Sequence, residues 1–306
     1  MPTELATVRV VHKPWGVRDL QPWSSLDSSS DAIGELWFER AGEHADTPAL
    51  LLKLLFTSEP LSIQVHPDDT FARAMGLPNG KSEAWYILSA EPDAMVGVGL
   101  KHRITPAQLR ASIHDGSIAE LMDWRPVAKD DVIYIPAGTI HSIGAGIVLA
   151  EIQQHSDATF RLFDYGRQRA LDEDNGVAVA HPWPLSAPRV PTRLSASRTA
   201  LVASRHFVLE RLELPENSSW ALLAPSEIWI LVLDGHAAIG LTAASIGQAV
   251  FVDGGRNSIE VGTNGLSALI AYPASRPIDS LLQGLGEQPG SPLNSAALAL
   301  SAEAQI

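Results

Sequence analysis

DVIYIPAGTIHSIGAGIVLAEIQQ, residues 131–154, consists of short runs of Ile, Val, Leu and Tyr set apart by a Pro-Ala-Gly corner and further glycines. Runs of this length, β-branched or aromatic and bounded by Gly and Pro, read as strands. The same texture extends outward on the N-terminal side through ELWFER (35–40), ALLLKLLF (49–56), LSIQVHP (61–67) and EAWYILSA (83–90). It returns later in HFVLERLEL (206–214), EIWILVLDGHAAIG (227–240), QAVFVDGG (248–255) and LSALIAYP (266–273). Turn signals at intervals of about ten residues suit a sandwich or jelly-roll barrel rather than βαβ units, so the fold class is mainly β with a few short helices. One helix is expected through FARAMG (71–76) behind a cap at Asp68–Thr70. A second is expected in ITPAQLRASIHDGSIAELM (104–122), opened by Thr105-Pro106 and broken at Gly116.

With 306 residues, 45% of them hydrophobic, and eight Trp, the chain has material for a packed core and length for two domains. The stretch 181–200, HPWPLSAPRVPTRLSASRTA, carries four prolines and no apolar period, so it is expected to link a domain at 1–180 to a smaller one at 201–275. Residues 276–306 are rich in Ser, Ala, Gly and Pro and read as a low-complexity tail. A net charge of −13 argues against nucleic acid as a partner. The absence of cysteine excludes disulfides, thiolate nucleophiles and Cys-ligated metals. The N-terminal residues lack a signal-peptide pattern, and the greasiest runs, at 49–56 and 228–233, fall far short of the ~20 residues a membrane helix needs. A soluble, cytoplasmic protein is expected.

Polar residues that punctuate the apolar runs of the first half form a constellation. Gln64 and His66 are two apart in a predicted strand and so share a face. Glu83 lies in the next predicted strand, and His141 follows the Pro-Ala-Gly corner. Two imidazoles, a carboxylate and an amide oxygen make a four-ligand divalent-metal site. One carboxylate among neutral ligands leaves such an ion a net positive charge with which to polarise a sugar oxygen.

These residues lie in LSIQVHPDD (61–69), GKSEAWYIL (80–88), IPAGTIHSIGAGIVLAEIQQHSDATFRLFDYGR (135–167) and the early KPWG (13–16). Together they resemble the type I mannose-6-phosphate isomerases, in the short bacterial form built on cupin barrels. The likeness is strong over residues 8 to 170 and one of texture beyond. The resemblance implies two cupin-like jelly-roll barrels and one zinc ion per chain. It also implies an isomerase that interconverts mannose 6-phosphate and fructose 6-phosphate through an enediol. Carried over position by position, Gln64, His66, Glu83 and His141 match the family's metal ligands. Arg161 in SDATFR matches its active-site arginine. Lys81, Glu151 and Asp157 match polar residues of its pocket, and Lys53 and Ser62 match positions near the substrate phosphate. Where longer relatives have a His before the Lys, this chain has Gly80, which leaves the proton-transferring base open. In the second half Glu227 has no His-x-His beside it, and Gly254-Gly255-Arg256-Asn257 stands where a metal corner would be. That barrel is expected to be metal-free, with a packing or homodimer role.

The remaining candidates read more blandly. Asp68 and Asp69 are helix caps, Trp85 and Tyr86 barrel packing, Gly138 a turn residue, and His155 a surface residue. Arg167 either assists a phosphate or pairs with Asp164. His12, His44, His102, His114, His181, His206 and His236 lack partners at ligand spacing. Two other functions stay open: an isomerase of an unphosphorylated aldose such as mannose or lyxose, and a non-catalytic sugar-binding barrel.

Overall fold

The computed structural model describes residues 3–26, 31–42, 46–185 and 190–285; His44, the middle of the Pro-rich stretch and the tail from 286 lie outside them. The fold is mainly β. The first half forms two antiparallel sheets. The six-stranded sheet runs, edge to edge, through Thr7–Val17, Ile33–Glu39, Leu50–Thr57, Ile147–Gln154, Glu83–Ala90 and Val132–Ile135. The five-stranded sheet runs through Phe160–Phe163, Ile63–Val65, His141–Ile143, Met95–Leu100 and Met122–Pro126. Leu55, Trp85, Ile87 and Leu149 of the larger sheet pack against Val96, Val98 and Ile143 of the smaller, so the two face each other across a shared core.

Alternation explains the unusual run LLLKLLF. Every residue of Leu50–Thr57 is buried. Leu52, Leu54 and Phe56 point away from the sandwich, into a core shared with Phe207, Trp229, Phe251 and Leu269 of the second half. Lys53 and Leu55 point into the sandwich. A strand covered on both faces reads as continuous hydrophobe, and the single lysine marks the side that carries chemistry. In the smaller sheet Ile63 and Val65 face outward, onto Leu109, Ile113 and Ile118 of the helical segment, which leaves Ser62, Gln64 and His66 on the inner side.

Both expected helices form: Asp69–Ala74, capped by Asp68, and Pro106–Asp115, where Thr105 and Gln108 make a capping box and Gly116 ends the helix in the left-handed region. A helix that the sequence reading did not foresee, Glu173–Val179, is capped by Asp172.

The second half is an eight-stranded antiparallel sheet dominated by two very long strands, Ser219–Ile239 and Ala249–Tyr272. Trp229 and Ile230 pair with Phe251 and Val250 on one edge and with Ala271 and Ile270 on the other, so the longer strand passes on both sides and the sheet curls around its own core. Three features depart from the expected division. Thr3–Leu5, counted with the first domain, pairs with Val250–Val252 of the second sheet. The Pro-rich stretch is pinned at its start, where His181 N–H donates to Gly138 O, and enters the second sheet at Thr192–Arg193 and Arg198–Ala203. The first ten tail residues fold back, with Leu281 fully buried and Leu282–Gly284 paired to Trp220–Leu222.

Candidate metal centre and active-site pocket

His141 lies directly opposite Gln64, which lies opposite Arg161, so these three form a cross-strand row on the inner face of the smaller sheet. Across the larger sheet the facing row is Arg9, Trp37, Lys53, Glu151 and Trp85. Glu83 and Lys81 enter from the start of the Glu83–Ala90 strand. The residues drawn from separated sequence motifs therefore converge.

One ligand atom each from His66, Glu83 and His141 lies within 4.8 Å of the others, and all three residues are buried. His66 Nδ1 lies 2.9 Å from Ala158 O, and His141 Nδ1 lies 2.8 Å from Thr139 O. A carbonyl can only accept, so both Nδ1 atoms carry the proton and both Nε2 lone pairs face the cluster. They stand 3.4 Å from Oε2 and Oε1 of Glu83, respectively. Burial, reinforced by Lys81, lowers the His66 pKa to about 3, and burial lowers that of His141, which keeps both rings neutral as metal ligands require. Burial alone would raise the Glu83 carboxyl, but the Lys81 ammonium beside it holds it well below its ordinary value. Gln64 joins through its side-chain NH₂, 3.4 Å from His141 Nε2, while its Oε1 accepts from Ser62 Oγ at 3.2 Å. A half-turn of the amide exchanges the two and offers the oxygen instead. Two neutral imidazoles, an ionised carboxylate and an amide fit a divalent cation.

Beside the cluster, reached through Gln64 and Lys81, is a cavity of about 390 Å³ whose lining also includes Lys53, Ser62, Glu151, Asp157 and Arg161. Lys81 Nζ lies 2.8 Å from Glu83 Oε2, 3.2 Å from His66 Nε2 and 3.7 Å from Glu151 Oε1. Burial would lower its pKa, but Glu151 and Glu83 together raise it, so the ammonium stays charged. The Glu151 carboxyl is pushed above its ordinary pKa by burial and by Glu83. Lys53 Nζ lies 3.4 Å from Glu151 and 4.0 Å from Glu35, and rests 4.0 Å from the centre of the Trp37 ring, its pKa lowered by burial. Ser62 is buried, and Asp157 stands exposed at the mouth.

Arg161 differs from the lysines. Its Nη1 donates to Ala170 O at 2.9 Å, its Nε is buried without a partner, and among the described residues no carboxylate lies within ion-pair distance. Arg167 and Arg169 share Asp164 instead, and Arg167 also donates to Pro60 O, which gives Arg167 the structural role of the two considered.

The sequence reading missed Glu35, Trp37 and Lys13. Glu35 accepts from Trp37 Nε1 at 2.5 Å and from Lys13 Nζ at 3.1 Å, and so lies in the same charge network as Lys53. The available signal was a Glu and a Trp two apart in GELWF, on the side of the strand that carries no leucine. Tyr86 packs between the halves as expected, whereas the Trp85 indole N–H donates to Glu83 Oε1 at 3.1 Å. Glu227 accepts from the backbone N–H of Ala49 and Leu50, and so pins the strand that bears Lys53 to the second half.

No family model matches the chain. It is 33% identical to the mannose-6-phosphate isomerase of Streptococcus mutans over 205 residues, 63% of each protein. It is 41% identical to the mannose-6-phosphate isomerase ManA of Bacillus subtilis over 143 residues, 45% of each. These alignments thus span between 45% and 63% of the relatives' lengths. In fold, the chain is similar to the crystal structure of the mannose 6-phosphate isomerase from Bacillus subtilis, with a TM-score of 0.77 and 21% identity over 88% of this chain and 98% of that one. A mutant phosphomannose isomerase from Salmonella typhimurium superposes with a TM-score of 0.69 and 14% identity over 89% of this chain and 99% of the other. In its motifs, its curated relatives and its fold, the chain resembles the type I mannose-6-phosphate isomerases.

Proposed function

We propose that this chain is a zinc-dependent aldose–ketose isomerase that interconverts mannose 6-phosphate and fructose 6-phosphate. The observation that carries this reading is the adjacency of the neutral His66–Glu83–His141 group to a cavity lined by a buried Lys81–Glu151 pair and by Arg161, which has no carboxylate partner among the described residues. Each half is read as a cupin-like jelly-roll, the first (1–180) catalytic and the second (201–275) metal-free, joined through 181–200 and followed by the tail at 276–306. Gln64, His66, Glu83 and His141 would hold one zinc per chain, and bound zinc would act as a Lewis acid on the sugar oxygens at C1 and C2.

The chain's own groups do the rest. In the aldose-to-ketose direction C2 and O2 each lose a proton while C1 and O1 each gain one, by way of an enediol. Glu151, whose basicity burial raises, takes the C2 proton and returns it to C1. Lys81 holds a permanent positive charge beside Glu151 and stabilises its ionised form. Arg161, adjacent in register to Gln64, faces the negative charge that grows on the oxygens. Asp157 at the mouth orients a sugar hydroxyl, and Ser62 and Lys53 receive the phosphate. The remainder of the reading is a cytoplasmic setting with a homodimer formed through the second half.

One observation favours a second reading, an isomerase of a free aldose: Lys53 is already flanked by Glu151 and Glu35. Following both sugars by NMR separates the two. Turnover of mannose 6-phosphate, lost on chelation, restored by zinc and at least a hundredfold above free mannose in kcat/KM, is expected. Equal turnover of free mannose would overturn the phosphate assignment, and no turnover of either sugar would leave a binding protein.

A further inference from the structure

Successive residues of a strand face opposite ways, and the neighbours Trp85 and Tyr86 show what that separates. Tyr86 turns toward the second half, where its hydroxyl donates to Asp130 at 2.6 Å and accepts from Arg211 at 3.0 Å. Trp85 turns inward, on the same face as Glu83 two residues earlier, and is wholly buried. Its indole N–H donates to Glu83 Oε1 at 3.1 Å. Its ring meets that of His141 edge-on, with centroids 5.6 Å apart at 67°. In register it lies beside Glu151. A single side chain thus touches two members of the candidate metal group and borders the candidate base.

The chemistry of that contact is specific. An indole N–H only donates and does not titrate, so at any working pH it occupies one lone pair of Oε1. Lys81 forms an ion pair with the other oxygen at 2.8 Å, so each oxygen of the buried Glu83 carboxylate has an N–H or ammonium neighbour. The backbone carbonyls of Ala158 and Thr139 hold the two imidazoles in the same way. Among the described residues no backbone group bonds the Glu83 carboxylate, and Trp85 supplies the equivalent.

We infer that Trp85 is a positioning residue for the metal centre: it fixes the rotation of the Glu83 carboxylate and the tilt of the His141 ring, and thereby sets metal affinity. This rests on the metal reading above. Loss of a partner that orients a ligand typically weakens metal binding about 10- to 100-fold.

The test uses full-length protein stripped of metal, with zinc affinity read by chelator competition and the ligand field read from the visible spectrum of the cobalt(II)-loaded form. Trp85→Phe keeps a ring against His141 and removes the donor. It is expected to weaken zinc at least tenfold and to shift the cobalt bands, with the melting temperature of the metal-free protein within a few degrees of wild type. Trp85→Leu, which removes the ring too, should weaken zinc further. Should circular dichroism show Trp85→Phe unfolded, Trp85→Tyr takes its place under the same expectation. His141→Ala separates the two levels. If it leaves zinc affinity unchanged, the metal reading itself fails. If it abolishes binding while Trp85→Phe retains wild-type affinity and cobalt spectrum, Trp85 is packing alone and the inference is overturned.

Discussion

Replacing Lys53 with Met keeps an unbranched side chain of similar length and removes the ammonium that lies over the Trp37 ring. Two costs follow, and the structure sizes each. Glu151 and Glu35 lose a partner at 3.4 and 4.0 Å, but Glu151 keeps Lys81 at 3.7 Å and Glu35 keeps Lys13 at 3.1 Å. A buried charge left with no partner costs roughly 3–5 kcal/mol, so the loss of one counter-charge of two should cost about 1–3 kcal/mol of stability. The second cost falls on substrate. A charge-assisted contact to phosphate is worth about 1.5–3 kcal/mol, or roughly 10- to 100-fold in KM, and a lysine shared with two carboxylates belongs at the lower end. Lys53→Met is therefore expected to raise KM for mannose 6-phosphate about tenfold, with kcat within a few-fold of wild type. Initial rates across substrate concentration and a urea titration measure the two quantities. An unchanged KM with kcat reduced tenfold or more would refute the phosphate assignment and make Lys53 a support for Glu151. Unchanged stability would refute the pairing.

Arg161→Ala should lower kcat and kcat/KM together by about a hundredfold with an unchanged melting temperature, because the residue has no ion pair to lose; near-normal kcat would make it a wall residue. Glu227→Ala should cost about 1–2 kcal/mol in urea unfolding by freeing the Ala49 and Leu50 amides, and a stability equal to wild type would remove the second half from the support of the Lys53 strand. Burial tends to raise the Asp69 pKa, but hydrogen bonds from Gln154 and Gly80 prevail and lower it from its ordinary 3.8. Its stabilising contribution is thus full above about pH 3.8 and is lost as pH falls through the lowered value. Between pH 5 and 2, wild type should lose more stability than Asp69→Asn, and parallel curves would contradict this.

The strand texture of the first half was legible because burial on both faces leaves few polar residues, and the exceptions, Lys53, Gln64, His66, Glu83 and Glu151, fall on the side with chemistry. The i, i+2 spacing of Gln64 and His66 and the Pro-Ala-Gly corner before His141 were sufficient to bring the candidate ligands together on paper. Other features depended on long-range pairing, which no local signal carries. The runs beginning at Glu227 and ending at Gly255 read as whole strands, yet both bounds lie inside longer strands, where the register between them shifts. Glu35 and Trp37 looked like ordinary strand residues until Lys53 was seen opposite. Trp85 reads as packing in the sequence, which does not show which neighbour its N–H meets.

The pairing of Thr3–Leu5 with Val250–Val252 has a consequence for synthesis. Contacts so far apart in sequence form slowly, since a very long loop must close before they repay its entropy. On the ribosome the sandwich, complete by Phe163, can assemble while the second half is still being made, at roughly 5–20 residues per second. Thr3–Leu5 then waits for partners translated some 250 positions later. A strand made before the sandwich is thus laid down after it, and until it docks an edge of the second sheet stays open to pairing with other chains.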